Sequence, residues 1–112
     1  MSLVENKFHE PTTMDEFNAL LEGAGDKPVF VKFSATWCPP CQAVAPILHD
    51  IAKENKHTCV FIHVDCDNAG AIAQAHNVQG IPDMRIWKKG TFTPYQGARN
   101  KQAFEDAINA AM

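Results

Sequence analysis

Residues 29–41 read Val29-Phe30-Val31-Lys32-Phe33-Ser34-Ala35-Thr36-Trp37-Cys38-Pro39-Pro40-Cys41. The first five are rich in β-formers and almost continuously apolar, which is typical of a strand covered on both faces. From Pro39 to about Glu54, apolar side chains recur at helical spacing. The sequence therefore predicts a Cys-x-x-Cys motif at the start of a helix that directly follows a buried strand.

Strands and helices alternate on both sides of this motif. Ahead of it, we expect a first strand over residues 3–8 and a helix that a Thr13/Glu16 capping box opens and Gly23 ends. Behind it, residues 59–64 predict a second buried strand. A short helix follows, which Asp67 or Asn68 is expected to cap, and its expected inward residues are Ala71, Ile72 and Ala75.

The C-terminal part predicts two further strands and a helix. Pro82 opens a strand over residues 84–87, and a turn leads into residues 91–95, where Pro94 favours a sheet edge. Asn100 is expected to cap the last helix. This order predicts an α/β fold in one domain, residues 1–112, with a mixed central β-sheet flanked by helices on both faces.

Composition and charge exclude several classes of partner. The chain has 112 residues, 46% of them hydrophobic, and a formal net charge of -3 with Lys and Arg dispersed. This argues against nucleic acid or an anionic membrane as the main partner. The longest apolar run, residues 59–62, is far shorter than the roughly 18 residues of a membrane span. The N-terminal segment has no apolar signal core, so we expect a cytoplasmic protein.

Two further cysteines lie outside the motif. Cys59 and Cys66 are seven residues apart on one strand and its exit, roughly 23 Å if extended and too far for a disulfide. Zinc sites of this type need a second close pair of ligands, so no metal is expected. We interpret these two cysteines as small buried hydrophobic residues.

The position of the motif predicts thiol chemistry. Unpaired N–H groups and the helix dipole favour an anion at Cys38, and the thiolate is the reactive form of cysteine. Cys41 lies one turn further on, close enough to form a disulfide with Cys38 or to attack a mixed disulfide. We expect Cys38 to be the exposed nucleophile and Cys41 the more buried resolving thiol.

Residues 33–41 resemble the active site of the thioredoxin family, and Phe-Ser-Ala-Thr-Trp-Cys is especially similar to eukaryotic members. The resemblance runs over about residues 10–112 and includes Pro46, Gly80-Ile81-Pro82, Lys88-Lys89-Gly90 and Gly97-Ala98. It implies a thioredoxin fold and a redox-active Cys38–Cys41 disulfide that reduces protein disulfides without a bound cofactor.

The resemblance also implies a client groove and partners. The family's proline at the position of Pro82 is cis and faces the dithiol. The groove would be bordered by Trp37, Pro39, Pro40, Ile81, Pro82 and Gly97. The implied partners are an NADPH- and flavin-dependent thioredoxin reductase and oxidised proteins such as peroxiredoxins, with the chain acting as a monomer.

Three residues depart from the family pattern: Pro39 replaces a glycine, Lys32 a buried aspartate and Asp83 a threonine. The aspartate is thought to move the proton of the resolving thiol. A charged lysine cannot accept a proton, so Lys32 and His63 are proton-relay candidates, with His63 as the base. The alternative is that Lys32 extends to solvent and His63 is only a core residue.

The sequence is compatible with other functions. Tryparedoxins carry the same Trp-Cys-Pro-Pro-Cys pentapeptide, and an oxidase or isomerase would differ in reduction potential. A non-catalytic binding module with this fold is a further alternative, which the presence of both cysteines disfavours. Nothing in the sequence identifies a glutathione pocket.

Overall fold

The computed structural model describes residues 7–56 and 58–112. Its strands are Phe8–His9 (β1), Val29–Ser34 (β2), Val60–Asp65 (β3), Asp83–Lys88 (β4) and Thr91–Pro94 (β5). Its helices are Met14–Ala24 (α1), Pro39–Glu54 (α2), Gly70–Ala75 (α3) and Lys101–Ala110 (α4). The element order confirms the predicted alternation of strands and helices.

The strands form one mixed sheet in the order β1-β3-β2-β4-β5. β3 is parallel to both β1 and β2, while β4 is antiparallel to both β2 and β5. This places β2 at the centre, where all of its residues are buried. The mixed sheet predicted from the sequence is confirmed.

A separate core packs on each face of β2. Val29, Val31 and Phe33 belong to one core with apolar residues of α1 and α3. Phe30 points to the opposite face and packs with residues of α2 and α4. Side chains alternate between faces along a strand, so Lys32 and Ser34 share the side of Phe30. The expected cover of helices on both faces is confirmed.

The N-terminal caps of α1 and α4 are the residues that the sequence predicts. The Glu16 N–H donates to Thr13 Oγ1 at 3.1 Å, and the Thr13 N–H donates to Glu16 Oε1 at 3.1 Å, so the capping box is present. The Ala103 N–H donates to the Asn100 side chain at 2.9 Å. The helix α1 ends at Ala24 rather than Gly23, because Gly25, with a φ of 59°, is the residue that leaves the helix.

The predicted start of α3 is wrong. Its N-cap is Ala69, with no side-chain cap. Asp67 is not the cap, because its N–H donates to the carboxylate of Asp65 at 2.9 Å in a turn that precedes the helix. Asn68 is engaged in the same turn, since its amide donates to the other Asp65 oxygen at 3.3 Å. Of the residues expected to point inward, only Ile72 is buried, while Ala71 and Ala75 are exposed on this short helix.

The two edges of the sheet are short. β1 contains only Phe8 and His9, and residues 3–6 of the strand expected there lie outside the described residues. β5 ends at Pro94 and pairs only with β4, as expected for a proline-bearing edge strand. Over the ranges 7–56 and 58–112, no helix is long and apolar enough to cross a membrane.

Candidate active site

The two motif cysteines lie at the N-terminus of α2. Cys38 is the N-cap residue with an extended backbone, and Cys41 lies in the first turn. Both are free thiols, and the Cys41 thiol donates to Cys38 Sγ at 2.7 Å. The structure therefore brings together the two sulfurs that the sequence predicts to react with each other.

Exposure does not distinguish the two thiols. We expected Cys38 to be the more exposed, but each cysteine is only 4% exposed, because both belong to a buried cluster with Ala35 against which Ile81 packs. Their surroundings differ instead. Burial and the hydrogen bond to Cys38 raise the pKa of the Cys41 thiol to about 11. Cys41 therefore retains its proton at neutral pH, whereas Cys38 is the N-cap residue, at the positive end of the helix dipole.

The loop before β4 faces the dithiol. The Ile81–Pro82 peptide bond is cis, as the family resemblance implied. The carbonyl oxygen of Ile81 lies 3.8 Å from Cys38 Sγ and accepts a hydrogen bond from that thiol. The backbone before Pro82 is therefore next to the sulfur expected to attack.

Trp37 forms an exposed flank of the site. Its side chain is 65% exposed, unusual for a large hydrophobic residue, and its indole N–H donates to Asp67 Oδ2 at 2.9 Å. The Gln42 side chain donates to the Thr36 carbonyl at 2.6 Å and fixes the turn that leads into α2. The following prolines, Pro39 and Pro40, are exposed at the start of the helix.

Gly97 lies beside Tyr95. A Cβ atom at this position would lie 2.8 Å from the Tyr95 hydroxyl oxygen, so a larger residue would displace that ring. Gly97 also lines a cavity of about 620 Å³ along β5 and α4. Its role in the client groove stays a prediction. Asp83, which follows Pro82, forms an ion pair with Arg85 at 3.0 Å.

A second cavity, of about 200 Å³, lies behind the dithiol. It brings together Cys41 and both proton-relay candidates, Lys32 and His63. Lys32 is 2% exposed, so the interpretation that it extends to solvent is wrong. Its ammonium lies 5.0 Å from the centre of the Phe8 ring, and burial lowers its pKa against the opposing influence of Cys41 and Glu10.

His63 is hydrogen-bonded on both ring nitrogens. Nε2 lies 2.7 Å from the Ser34 hydroxyl, and Nδ1 lies 2.9 Å from Glu10 Oε1. Burial lowers the pKa of His63, and the bond to Glu10 opposes this shift. Neither Ser34 nor Glu10 is among the site residues that the sequence predicts. Two-residue periodicity from Lys32 was a usable signal for Ser34, whereas Glu10 is 53 positions from His63 and no local pattern links them.

The remaining cysteines have no partner thiol in the structure. Cys59 is 5% exposed, and burial raises the pKa of its thiol to about 12. Cys66 is partly buried, and burial together with nearby aspartates raises its pKa. Within residues 7–56 and 58–112, no group of three His, Cys, Asp or Glu residues has the arrangement of a metal site.

Two thiols in contact at a helix N-terminus, beside a cis-proline, define a dithiol–disulfide exchange site. The family model described as Thioredoxin matches residues 8–110. The chain belongs to the thioredoxin family.

Similar proteins agree with this assignment. Thioredoxin from Oryctolagus cuniculus is 40% identical over 93 residues, which cover 83% of this chain and 88% of that protein. Thioredoxin from Homo sapiens is 36% identical over 93 residues, which again cover 83% of this chain and 88% of that protein. Among solved structures, thioredoxin F from spinach chloroplast superposes with a TM-score of 0.83 at 28% identity, covering 99% of this chain and 98% of that one. The chain is thus a thiol–disulfide oxidoreductase of the protein-disulfide reductase type, with no bound cofactor.

Proposed function

We propose that Cys38 is the attacking thiol and Cys41 the resolving thiol of this reductase. The 2.7 Å contact between the two sulfurs at the start of α2 carries the proposal. The Cys38 end of the helix favours a thiolate, while Cys41, with a pKa of about 11, retains its proton until a base removes it.

The reaction transfers two electrons in two exchange steps. The Cys38 thiolate attacks one sulfur of a client disulfide, forms a mixed disulfide and releases the other client sulfur as a thiolate, which takes up a proton. Cys41 then loses its proton and attacks Cys38 Sγ. The second client thiol leaves, and the Cys38–Cys41 disulfide remains until a reductase returns two electrons.

The client is proposed to bind as an extended segment beside Ile81 and Pro82. The Ile81 carbonyl already faces Cys38 Sγ at 3.8 Å, so a strand paired with this backbone places its disulfide next to the nucleophile. Trp37, at 65% exposure, offers an apolar face at the same site. Pro39, Pro40 and Gly97 complete the proposed groove.

Lys32 and His63 are proposed to control the proton of Cys41. Both line the cavity that Cys41 lines. The Lys32 charge favours the Cys41 thiolate, which opposes the effect of burial on that thiol. His63, whose pKa burial lowers, is neutral at pH 7 and therefore able to accept a proton.

Membership of the family implies thioredoxin reductase and disulfide-bearing client proteins as partners. We propose more specifically that a flavin enzyme using NADPH reduces the dithiol and that peroxiredoxins are among the clients. We also propose that the chain works as a cytoplasmic monomer.

Lys32 favours a second candidate, a relative with a more oxidising potential. A cation near Cys41 stabilises the reduced, thiolate-bearing form, which makes the dithiol a weaker reductant than one beside a carboxylate. A reduction potential near that of disulfide isomerases, about -180 mV, would favour this candidate over a value near that of thioredoxin, about -270 mV.

The test is insulin reduction driven by NADPH and thioredoxin reductase, run beside glutathione with glutathione reductase. Activity in the first assay and its loss in Cys38→Ser support the proposal, and Cys41→Ser should accumulate a mixed disulfide on Cys38. Cys59→Ala is the matched control, because it removes a thiol outside the site. Turnover that survives Cys38→Ser, or clients trapped on Cys41 instead of Cys38, would contradict the proposed roles of the two cysteines. No turnover in either assay would favour a non-catalytic binding module.

A further inference from the structure

A chain of hydrogen bonds runs from the cavity behind Cys41 to the protein surface. Ser34 Oγ lies 2.7 Å from His63 Nε2, and His63 Nδ1 lies 2.9 Å from Glu10 Oε1. Ser34 is 4% exposed, whereas the His63 and Glu10 side chains are 17% and 72% exposed. This hydrogen-bond chain therefore begins at a buried hydroxyl, passes through a partly buried imidazole and ends at an exposed carboxylate.

Three neighbouring segments, β2, β3 and the residue after β1, contribute the members of this hydrogen-bond chain. Lys32 and His63 are register partners between β2 and β3, and Ser34 lies two residues beyond Lys32 on the same face. Glu10 directly follows β1, which pairs with the other side of β3. The order of the strands therefore places a hydroxyl, an imidazole and a carboxylate in one line.

We propose that Ser34, His63 and Glu10 form the proton path of the resolving thiol, an inference that rests on the proposed role of Cys41. The Cys41 proton passes to Ser34 Oγ, directly or through a bridging water, as the hydroxyl proton passes to His63 Nε2. His63 Nδ1 then gives its proton to Glu10 and solvent. The sum is one proton moved from Cys41 to water, and it returns by the same path when the disulfide is reduced.

The contacts fix the direction of each hydrogen bond. A carboxylate only accepts, so Nδ1 carries the ring proton and donates it to Glu10, which leaves Nε2 to accept from Ser34. Ser34 and Cys41 both line the cavity of about 200 Å³, which is large enough for water. The Ser34 hydroxyl oxygen is then free to accept the proton from the thiol.

Charges around the cavity favour outward movement. Lys32 favours the Cys41 thiolate and disfavours a protonated His63, while Glu10 and Asp65 favour protonation of His63. His49 lies on the rim of the same cavity but outside the hydrogen-bond chain. These charges therefore offset part of the raised pKa of Cys41 and favour movement of its proton away from the cation, toward carboxylates near the surface.

The same order of groups occurs in serine hydrolases. Two observations argue against that activity here. Ser34 is 4% exposed. The cavity of about 200 Å³ is also smaller than the roughly 300–1,000 Å³ of typical substrate pockets. Labelling of Ser34 by a fluorophosphonate probe would overturn the proposal.

Rapid mixing of the reduced protein with one equivalent of 5,5′-dithiobis(2-nitrobenzoate) separates the two exchange steps. Attack by Cys38 releases one coloured thiolate, and resolution by Cys41 releases the second. The background carries Cys59→Ala and Cys66→Ser, so that only the dithiol reacts. We expect Ser34→Ala, His63→Gln and Glu10→Gln to slow the second phase by about 10- to 100-fold and to leave the first unchanged. Glu22→Gln, which neutralises an exposed carboxylate on α1 away from the cavity, is the matched control and should change neither phase.

The pH profile distinguishes a relay from a structural effect. The second phase of the parent should slow as pH falls through the pKa of His63, and Glu10→Gln should move that inflection to lower pH. His63→Gln should lose the inflection and recover rate with added imidazole. A second phase that is insensitive to all three substitutions, or slowed without these signatures, overturns the relay alone. A parent with no first phase overturns the proposed role of Cys38 as well.

Discussion

Lys32 on β2 and His63 on β3 are register partners, and both side chains line the cavity that the Cys41 thiol also lines. Burying an ammonium at 2% exposure is costly. The Phe8 ring, 5.0 Å from Lys32 Nζ, offsets part of that cost, since a desolvated cation–π contact contributes about 2 kcal/mol. The Cys41 thiol, the proposed resolving thiol, therefore lies near a cation where the family pattern places a carboxylate.

Replacing Lys32 by Met should raise the pKa of the Cys41 thiol above its value of about 11, because the lysine charge now lowers it. The dithiol should become a stronger reductant at alkaline pH, where Cys41 begins to lose its proton and the lysine charge stabilises the reduced form of the parent. At neutral pH the potential should change little, because Cys41 is protonated in both proteins. Thiol titration by ultraviolet absorbance and redox equilibration with glutathione measure the two effects. Lys27→Met, at an exposed position, is the matched control. An unchanged titration curve and potential would mean that Lys32 does not act on Cys41.

Lys32→Met should also change how stability depends on pH. Burial lowers the folded-state pKa of Lys32 below 10.5, so the unfolded chain binds more protons between the folded-state pKa and 10.5. Between these two pH values the free energy of unfolding of the parent rises with pH. At lower pH, the full free-energy cost of burying the charge remains. The variant should be more stable than the parent at neutral pH, with a difference that shrinks toward about pH 10. Urea midpoints across this range test the sign, and a difference that grows with pH would contradict it.

Much of this architecture follows from local patterns in the sequence. The apolar run at β2, the helical spacing after Pro39 and the caps Thr13 and Asn100 predicted elements that the structure confirms. These signals act over a few residues, so one sequence is sufficient to detect them. The cis bond before Pro82 came from the family resemblance and not from the pattern of residues.

Contacts between distant segments were harder to predict. Asp67 looked like a helix cap, yet its carboxylate accepts from Trp37, 30 residues away, and Asp65 forms the turn instead. The pairing of Glu10 with His63 depends on how β1 lies against β3. No periodicity encodes such contacts, because they arise from strand order. Equal burial of Cys38 and Cys41 has the same origin, since Ile81, in the loop before β4, packs against the cluster that contains both.

Pro39→Gly and Pro39→Ala should separate two effects of the first proline in the motif. Pro39 is the first residue of α2, where proline restricts the unfolded chain and lacks an N–H. Both variants restore a donor near Cys38, so both should stabilise the thiolate and shift the reduction potential in the same direction. Gly should lose about 0.4–1 kcal/mol more stability than Ala, because it is the more flexible residue. Equal stability in the two variants, or potentials that match the parent, would contradict this account.

Asp67→Ala should weaken reduction of protein clients. The indole N–H of Trp37 donates to Asp67 at 2.9 Å, so the carboxylate fixes the orientation of a ring that is 65% exposed. Loss of such a bond costs about 1 kcal/mol, which corresponds to about a fivefold fall in kcat/KM for insulin. Reduction of a small disulfide should change little, because it makes few contacts with the ring.

Asp67→Asn retains an acceptor and should remain close to the parent, and Asp26→Ala, at a distant exposed position, is the matched control. Tryptophan emission should shift in Asp67→Ala alone. Unchanged emission together with an unchanged kcat/KM for insulin would show that the bond does not orient Trp37 in solution.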